Sequence, residues 1–319
     1  MPALLVGLCA GVLIDRVNRR TCSIISDLVS AAAVVAIPLV DLATGLTISW
    51  LVALAILGSF GDVPGMTARQ VMVPVVARDA GVPLERLIGL RQSMTSAALV
   101  IGPAAADTLL TLFNGSTVLF VTAATSSAAA LVTVTLPPRL GQVESAAANH
   151  DSLLGKLTAG AAALRGSRFL ISTVTLTVGL AVALGGLQGL VLPLYFSELS
   201  RPDLLGFVLT ALAVGMLVGT TVFAAVSARM SRRRWLVGAL SGTTTGFLLL
   251  ATLAGPGWVF AGAALFGIGN SVLGAELGVL QAQRIPDRIR GRGRVLSLQN
   301  ACLQVAVPAG VGLASLMAE

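Results

Sequence analysis

Charge is scarce in this sequence. Only 11% of its 319 residues are Asp, Glu, Lys or Arg, while 55% are hydrophobic. So little polar surface cannot coat a water-soluble globule of this size, and lipid must be part of its solvent. Histidine occurs once, at His150, and lysine once, at Lys156. A single histidine excludes the H-E-x-x-H zinc motif. The sole lysine reads Gly155-Lys156-Leu157 and so excludes the G-x-x-x-x-G-K-[ST] phosphate loop and ATP hydrolysis with it. Neither a G-x-S-x-G elbow nor a paired-carboxylate active site is present, so no enzyme, catalytic residue or cofactor is expected. The three cysteines, Cys9, Cys22 and Cys302, form no C-x-x-C pair and lie in or beside apolar stretches. They read as packing residues, with no disulfide framework and no metal site. Aromatics make up 4%, and Trp50, Trp235 and Trp258 stand near the ends of apolar runs, which suits interfacial anchoring better than stacking against a planar ligand.

What the chain does have is apolar runs of membrane-spanning length. They fall at about 21–41, 47–68, 87–112, 116–137, 168–195, 204–227, 235–254, 257–281 and 295–317, each near the roughly 20 residues a bilayer core requires. A further run, residues 2–14, reaches only about 20 Å as a helix and reads as the second half of a span. The opening stretch has no basic n-region, so a cleaved signal peptide is not expected. The net charge of +7 does not form a nucleic-acid stripe, because the basic residues sit in brief clusters between apolar runs. If the loop at Asp15–Arg20 is cytoplasmic, alternating spans put twenty of the 21 basic residues inside and only Arg201 outside. The reading is therefore an inner-membrane, multi-pass protein.

Residues 138–167 interrupt the spans with Pro137-Pro138-Arg139, a polar stretch holding His150, and apolar residues at helical spacing from Leu153 to Leu164. This predicts a cytoplasmic linker ending in an amphipathic helix. The division expected is an N-terminal bundle, 1–137, the linker, 138–167, and a C-terminal bundle, 168–319. Arg19-Arg20 recurs as Arg232-Arg233 after 213 residues, and Val73-Pro74 recurs as Ile285-Pro286 after 212. A parallel repeat of that length points to a transporter built from two related halves.

Gly11-x-Leu13-x-Asp15-Arg16-x-x-Arg19-Arg20 resembles the loop motif between the second and third helices of the major facilitator superfamily. Pro64-x-x-x-Ala68-Arg69-Gln70 to Pro74, Leu90-Arg91-Gln92 leading to Ile101-Gly102-Pro103, and Ile285-Pro286-Asp287 with Gly291-Arg292 resemble its drug, macrolide and siderophore exporters. The resemblance implies an all-α fold of two pseudo-symmetric bundles with about ten transmembrane helices, the family's first and last being absent. It also implies proton-coupled export of small, partly hydrophobic molecules, with the substrate, protons and the bilayer as partners and a monomer as the working unit. It further implies an inner-gate latch at Gly11, Asp15, Arg16, Arg19 and Arg20, and an antiporter-like turn at Gly102 and Pro103. In that turn Ala106 and Asp107 replace two glycines of the family pattern, and Ala228 replaces the acid of the second loop copy.

Simpler roles stand beside these. Asp15 could cap a turn, and the arginines could serve as topology anchors. Asp27, Asp62, Asp107 and Glu276 lie inside spans, where an ionised carboxylate costs about 2.5–3.5 kcal/mol on insertion scales. Asp62 lies in Gly58-Ser-Phe-Gly61-Asp62-Val-Pro64-Gly65, a stretch expected to weaken its helix beside a cavity. Arg69, seven residues on, shares its face and can pair with a carboxylate or an anionic substrate. Asp62, Arg69, Glu276 and Asp107 are the proton or substrate candidates. Glycines at 215 and 219 and at 267, 274 and 278 permit close helix packing. The alternatives to an exporter are a transport-incompetent fragment and a membrane-bound binding or regulatory module.

Overall fold

The computed structural model describes residues 17–142, 167–201, 203–284 and 292–318. Within them the chain is helical, with no strand. The helices are α1 (Arg19–Thr44), α2 (Ile48–Asp79), α3 (Leu84–Leu112), α4 (Gly115–Thr135), α5 (Arg168–Gly186), α6 (Leu192–Glu198), α7 (Asp203–Val226), α8 (Arg232–Thr252), α9 (Pro256–Arg284) and α10 (Arg292–Ala318). A π-helical turn, Leu187–Val191, joins α5 to α6, so that Arg168–Glu198 forms one span. Nine spans long and apolar enough to cross a membrane result among the described residues. They coincide with the nine expected full spans. The short run 2–14 and the expected linker helix lie outside the described residues.

The chain folds as two compact units, each gathered from separate stretches of sequence. The first comprises Met1–Val76, Asp107–Val178 and Ile285–Ala306, and the second Ala77–Ala106, Gly179–Arg284 and Val307–Glu319.

In the first unit α1 packs against both α2 and α4. The contact with α2 is antiparallel: Ala33 lies by Gly58, Ser30 by Gly61, and Ser26 by Gly65. Gly61 is required there, since a Cβ would stand 2.7 Å from the backbone nitrogen of Ser30 and 2.8 Å from the Ser26 carbonyl oxygen. The Gly-Pro stretch that was expected to weaken α2 leaves it continuous for 32 residues. Its glycines bring α1 close, and Pro64 is accommodated as prolines are in other membrane helices. Gly61→Ala is expected to destabilise the protein by about 1–3 kcal/mol, because backbone atoms cannot yield as a flexible side chain does. Gly58→Ala, whose Cβ would meet only the Ala33 methyl at 3.9 Å, is the silent control. Thermal unfolding of the two variants in detergent checks this, and equal melting would mean the contact is looser than described.

The second unit has an apolar core of Leu187, Leu192, Phe196, Val208, Leu250, Val259, Ala263 and Phe266. Leu187 and Leu192 are five residues apart, and the wider π turn between them keeps both on the buried face. Helix α9 is the most enclosed span, packed against α7 and α8. Gly215, Gly219 and Gly267 make the α7–α9 crossing, as the sequence suggested. At Gly219 a Cβ would lie 2.6 Å from both the Ile268 carbonyl oxygen and the Ser271 hydroxyl. A Cβ at Gly274 would meet nothing among the described residues, and one at Gly278 would make only ordinary contact with Ile88 at 3.7 Å.

Candidate functional site

The polar residues of α1 and α2 form one seam in the first unit. Ser23, Asp27 and Ser30 recur on α1 at helical spacing, and Asp62 and Arg69 do so on α2. Arg69 and Asp27 make an ion pair, with Nη1 2.7 Å from Oδ1 and 2.9 Å from Oδ2, and the Ser23 hydroxyl accepts from the same nitrogen at 3.2 Å. The Asp27 side chain is 12% exposed and that of Arg69 42%, so the acid is the enclosed partner. Asp62, which the sequence places on the face of Arg69, bonds elsewhere: its Oδ1 accepts the Ser30 hydroxyl at 2.8 Å, in an exposed position. Asp27, the acid that had least to recommend it from the sequence, is therefore the one that neutralises Arg69. On either side of Arg69 in the sequence, the amide of Asn300 on α10 donates to Gln70 at 3.1 Å and to Thr67 at 3.4 Å.

In the second unit the distinctive group is Glu276. It is 1% exposed on α9, and its Oε1 is buried without a hydrogen-bond partner among the described residues. In the same unit Arg232 and Glu85 are occupied with each other: Arg232 Nη2 lies 3.1 Å from Glu85 Oε1, and Nη1 donates to Gln283. Thr243 on α8 packs beside Gly269 of α9, seven residues before Glu276, and its hydroxyl donates to the Ala239 carbonyl of its own helix at 2.7 Å. A threonine hydroxyl in a helix favours that back-bond.

The basic loop is visible in part. Gly11, Asp15 and Arg16 lie outside the described residues, and Arg19 is half-buried at the start of α1. Arg20 crosses to the end of α4, where Nη2 donates to the Val134 carbonyl at 2.6 Å and Nε to that of Thr133 at 3.3 Å. It thereby adds donors at the end of α4, where the Thr133 carbonyl also accepts the Leu136 backbone N–H at 3.2 Å. Asn18 reinforces the junction, accepting from the Arg20 backbone at 3.0 Å and donating to Pro138 at 3.1 Å. Gly102, Pro103 and Asp107 are exposed on α3, and a Cβ at Gly102 would meet none of the described residues. They do not join either cluster. Of the tryptophans, Trp50 and Trp258 are exposed near helix starts, while Trp235 packs edge-on against buried Phe223 at 5.3 Å.

Nine helices among the described residues that are long and apolar enough to cross a membrane, with Asp27 and Arg69 paired between two of them, define a polytopic membrane protein. Comparison with known sequences gives its family. The chain belongs to the Major Facilitator Superfamily, whose pattern matches residues 1–199 and 174–319. It is 29% identical over 328 residues to the multidrug efflux pump Tap of Mycolicibacterium fortuitum, covering 100% of this chain and 78% of that protein. To the Mycobacterium tuberculosis (strain ATCC 25618 / H37Rv) protein of the same name it is 33% identical over 248 residues, which cover 73% of this chain and 56% of the relative's length. Among solved structures, a bacterial homologue of the iron transporter ferroportin superposes with a TM-score of 0.72 at 16% identity, covering 100% of this chain and 81% of that one. The proton:xylose symporter XylE gives 0.71 at 14%, covering 99% and 76%. At such identities these structures speak for the fold alone.

Proposed function

We propose that this protein exports small, partly hydrophobic molecules in exchange for protons, by alternating access. It would act in the inner membrane as a monomer, with its arginine-rich loops in the cytoplasm. Residues 1–137 and 168–319 would form the two moving bundles, tethered by 138–167. The observation that carries the proton part is Glu276, an acid 1% exposed within a span, with one oxygen lacking a partner among the described residues. A group so placed is costly as a bare anion, and taking up a proton removes that cost. Asp62, bonded to Ser30 and exposed, is the second candidate. The multidrug efflux pumps among the relatives support the choice of cargo. Ethidium, a flat lipophilic cation, is a suitable probe.

The test uses everted membrane vesicles or proteoliposomes with an acidic lumen. Ethidium should accumulate against its gradient and leave when a protonophore collapses the pH difference. No accumulation above protein-free vesicles, by protein that is monodisperse in detergent, would reject the reading. Accumulation that survives the protonophore would reject the proton coupling.

A further inference from the structure

We infer that the indole N–H of Trp235, on α8, is the hydrogen-bond donor held in reserve for Glu276, taken up when that carboxyl gives up its proton. Resting on the proton reading above, this makes Trp235 a positioning residue that acts through Glu276. Helices α8 and α9 pack antiparallel, and their glycines report the register. A Cβ on Gly262 would stand 3.0 Å from the Leu249 Cβ, and one on Gly242 would stand 3.5 Å from the Gly269 Cα. Seven residues separate Leu249 from Gly242 on α8 and Gly262 from Gly269 on α9, about two turns on each. Seven more lead to Trp235 on one helix and Glu276 on the other. The helices stay paired past that point, since Arg232 Nη1 donates to Gln283 beyond it. Trp235 and Glu276 thus occupy facing positions, bracketed on both sides by observed contacts.

Each of the two side chains has an orphaned atom, and the two atoms are complementary. Trp235 Nε1 is a buried donor without an acceptor, and Glu276 Oε1 a buried acceptor without a donor, among the described residues. Such groups are rare, because each unmet one costs about what a lost hydrogen bond would. Neighbouring donors on the same helix are already engaged: the Thr243 hydroxyl with the Ala239 carbonyl, and Arg232 with Glu85 and Gln283. Phe223 of α7 holds the indole from the side, with ring centroids 5.3 Å apart and planes at 75°. An indole nitrogen can only donate. A carboxylate can only accept, whereas a protonated carboxyl also has a hydrogen to place, so an indole facing Glu276 serves the charged form and offers the neutral form less. A direct bond and one that crosses a single water both meet this need.

The experiment observes the bond itself as well as flux, so this proposal and the transport reading fail separately. The chain has three tryptophans, and protein isotope-labelled at the indole nitrogens gives an N–H resonance for each in detergent micelles. Trp50→Phe and Trp258→Phe assign the two exposed ones and leave that of Trp235. On raising the pH from about 5 to about 9, the Trp235 resonance should move downfield while those of Trp50 and Trp258 stay in place. In Glu276→Gln it should no longer move, a comparison that decides the matter even if Trp235→Phe does not fold. Trp235→Phe keeps a ring against Phe223 but has no N–H, and should slow pH-driven ethidium accumulation about ten- to hundredfold, the weight of one hydrogen bond to a charged group. A Trp235 resonance that ignores pH in the folded parent, or moves equally in Glu276→Gln, overturns the inference. So does full-rate accumulation by monodisperse Trp235→Phe. A resonance that follows Glu276 in protein that accumulates no ethidium would support the bond and count against the transport reading instead.

Discussion

Glu276→Gln is expected to abolish proton-driven accumulation while leaving the protein folded and able to equilibrate its cargo downhill. Glutamine matches glutamate in volume and needs no charge neutralised, so the close surroundings of Ala275, Leu273 and Val279 are kept. On the proton-exchange reading proposed above, what is lost is the exchangeable proton. One proton returned per molecule across one pH unit is worth about 1.4 kcal/mol, or about tenfold accumulation at equilibrium. The variant should fall from about tenfold to no accumulation, read as vesicle ethidium at imposed pH differences of about zero, one and two units. Asp62→Asn is the informative partner. Its carboxylate already has the Ser30 hydroxyl at 2.8 Å, so the slope of accumulation against pH difference should survive there. The reverse pattern, a lost slope in Asp62→Asn and an intact one in Glu276→Gln, would move the proton site to the first unit.

The second large effect is on stability. Asp27→Ala is expected to cost about 3 kcal/mol, the lower end of what breaking an enclosed pair entails, because Arg69 keeps 42% of its side chain exposed. The alanine leaves the guanidinium its Ser23 hydroxyl but takes away the carboxylate that balances its charge. Asp27→Ala combined with Arg69→Leu should recover most of the loss, since an apolar pair needs no neutralisation there. The measurement is apparent melting in detergent for both singles and the double. If the double melts no higher than Asp27→Ala, the pair is not what couples α1 to α2, and the close backbone approach at Gly61 must carry that contact.

Hydropathy made the spans legible, but their ends were less so. The run expected at 47–68 is the helix Ile48–Asp79, because apolar length reports membrane thickness whereas backbone hydrogen bonding continues into water. Arg78 and Asp79 close that helix without being part of its apolar run. The choice of partner for Arg69 was legible only by half. Helical spacing correctly gave Asp62 and Arg69 a common face, but the partner of each was set by the register of α1 against α2. The complementary stripe, Ser23, Asp27 and Ser30 at spacings of four and three, was present in the sequence and would have nominated Asp27 once read beside Arg69. Glu85 escaped notice for another reason. An acid in the first turn of a helix looks like an ordinary cap, and its meeting with a residue 147 positions away leaves no local trace. Glu276 was legible as an anomaly in an apolar run, though its lack of a partner was not, because that depends on which side chains the neighbouring helices bring beside it.

The bond from Arg20 to the end of α4 also has a place in time. Arg20 leaves the ribosome 113 residues before the Thr133 carbonyl it will meet. At about 5–20 residues per second, about 6–23 s pass before that acceptor exists. For that interval the arginine stays in the interfacial water that suits it, and α1 is inserted with its anchoring contact still unmade. When α4 enters the bilayer its last carbonyls arrive beside a guanidinium already waiting. A side chain at the start of an early helix thus fastens it to a late one, so the order of synthesis is written into a single hydrogen-bonded corner.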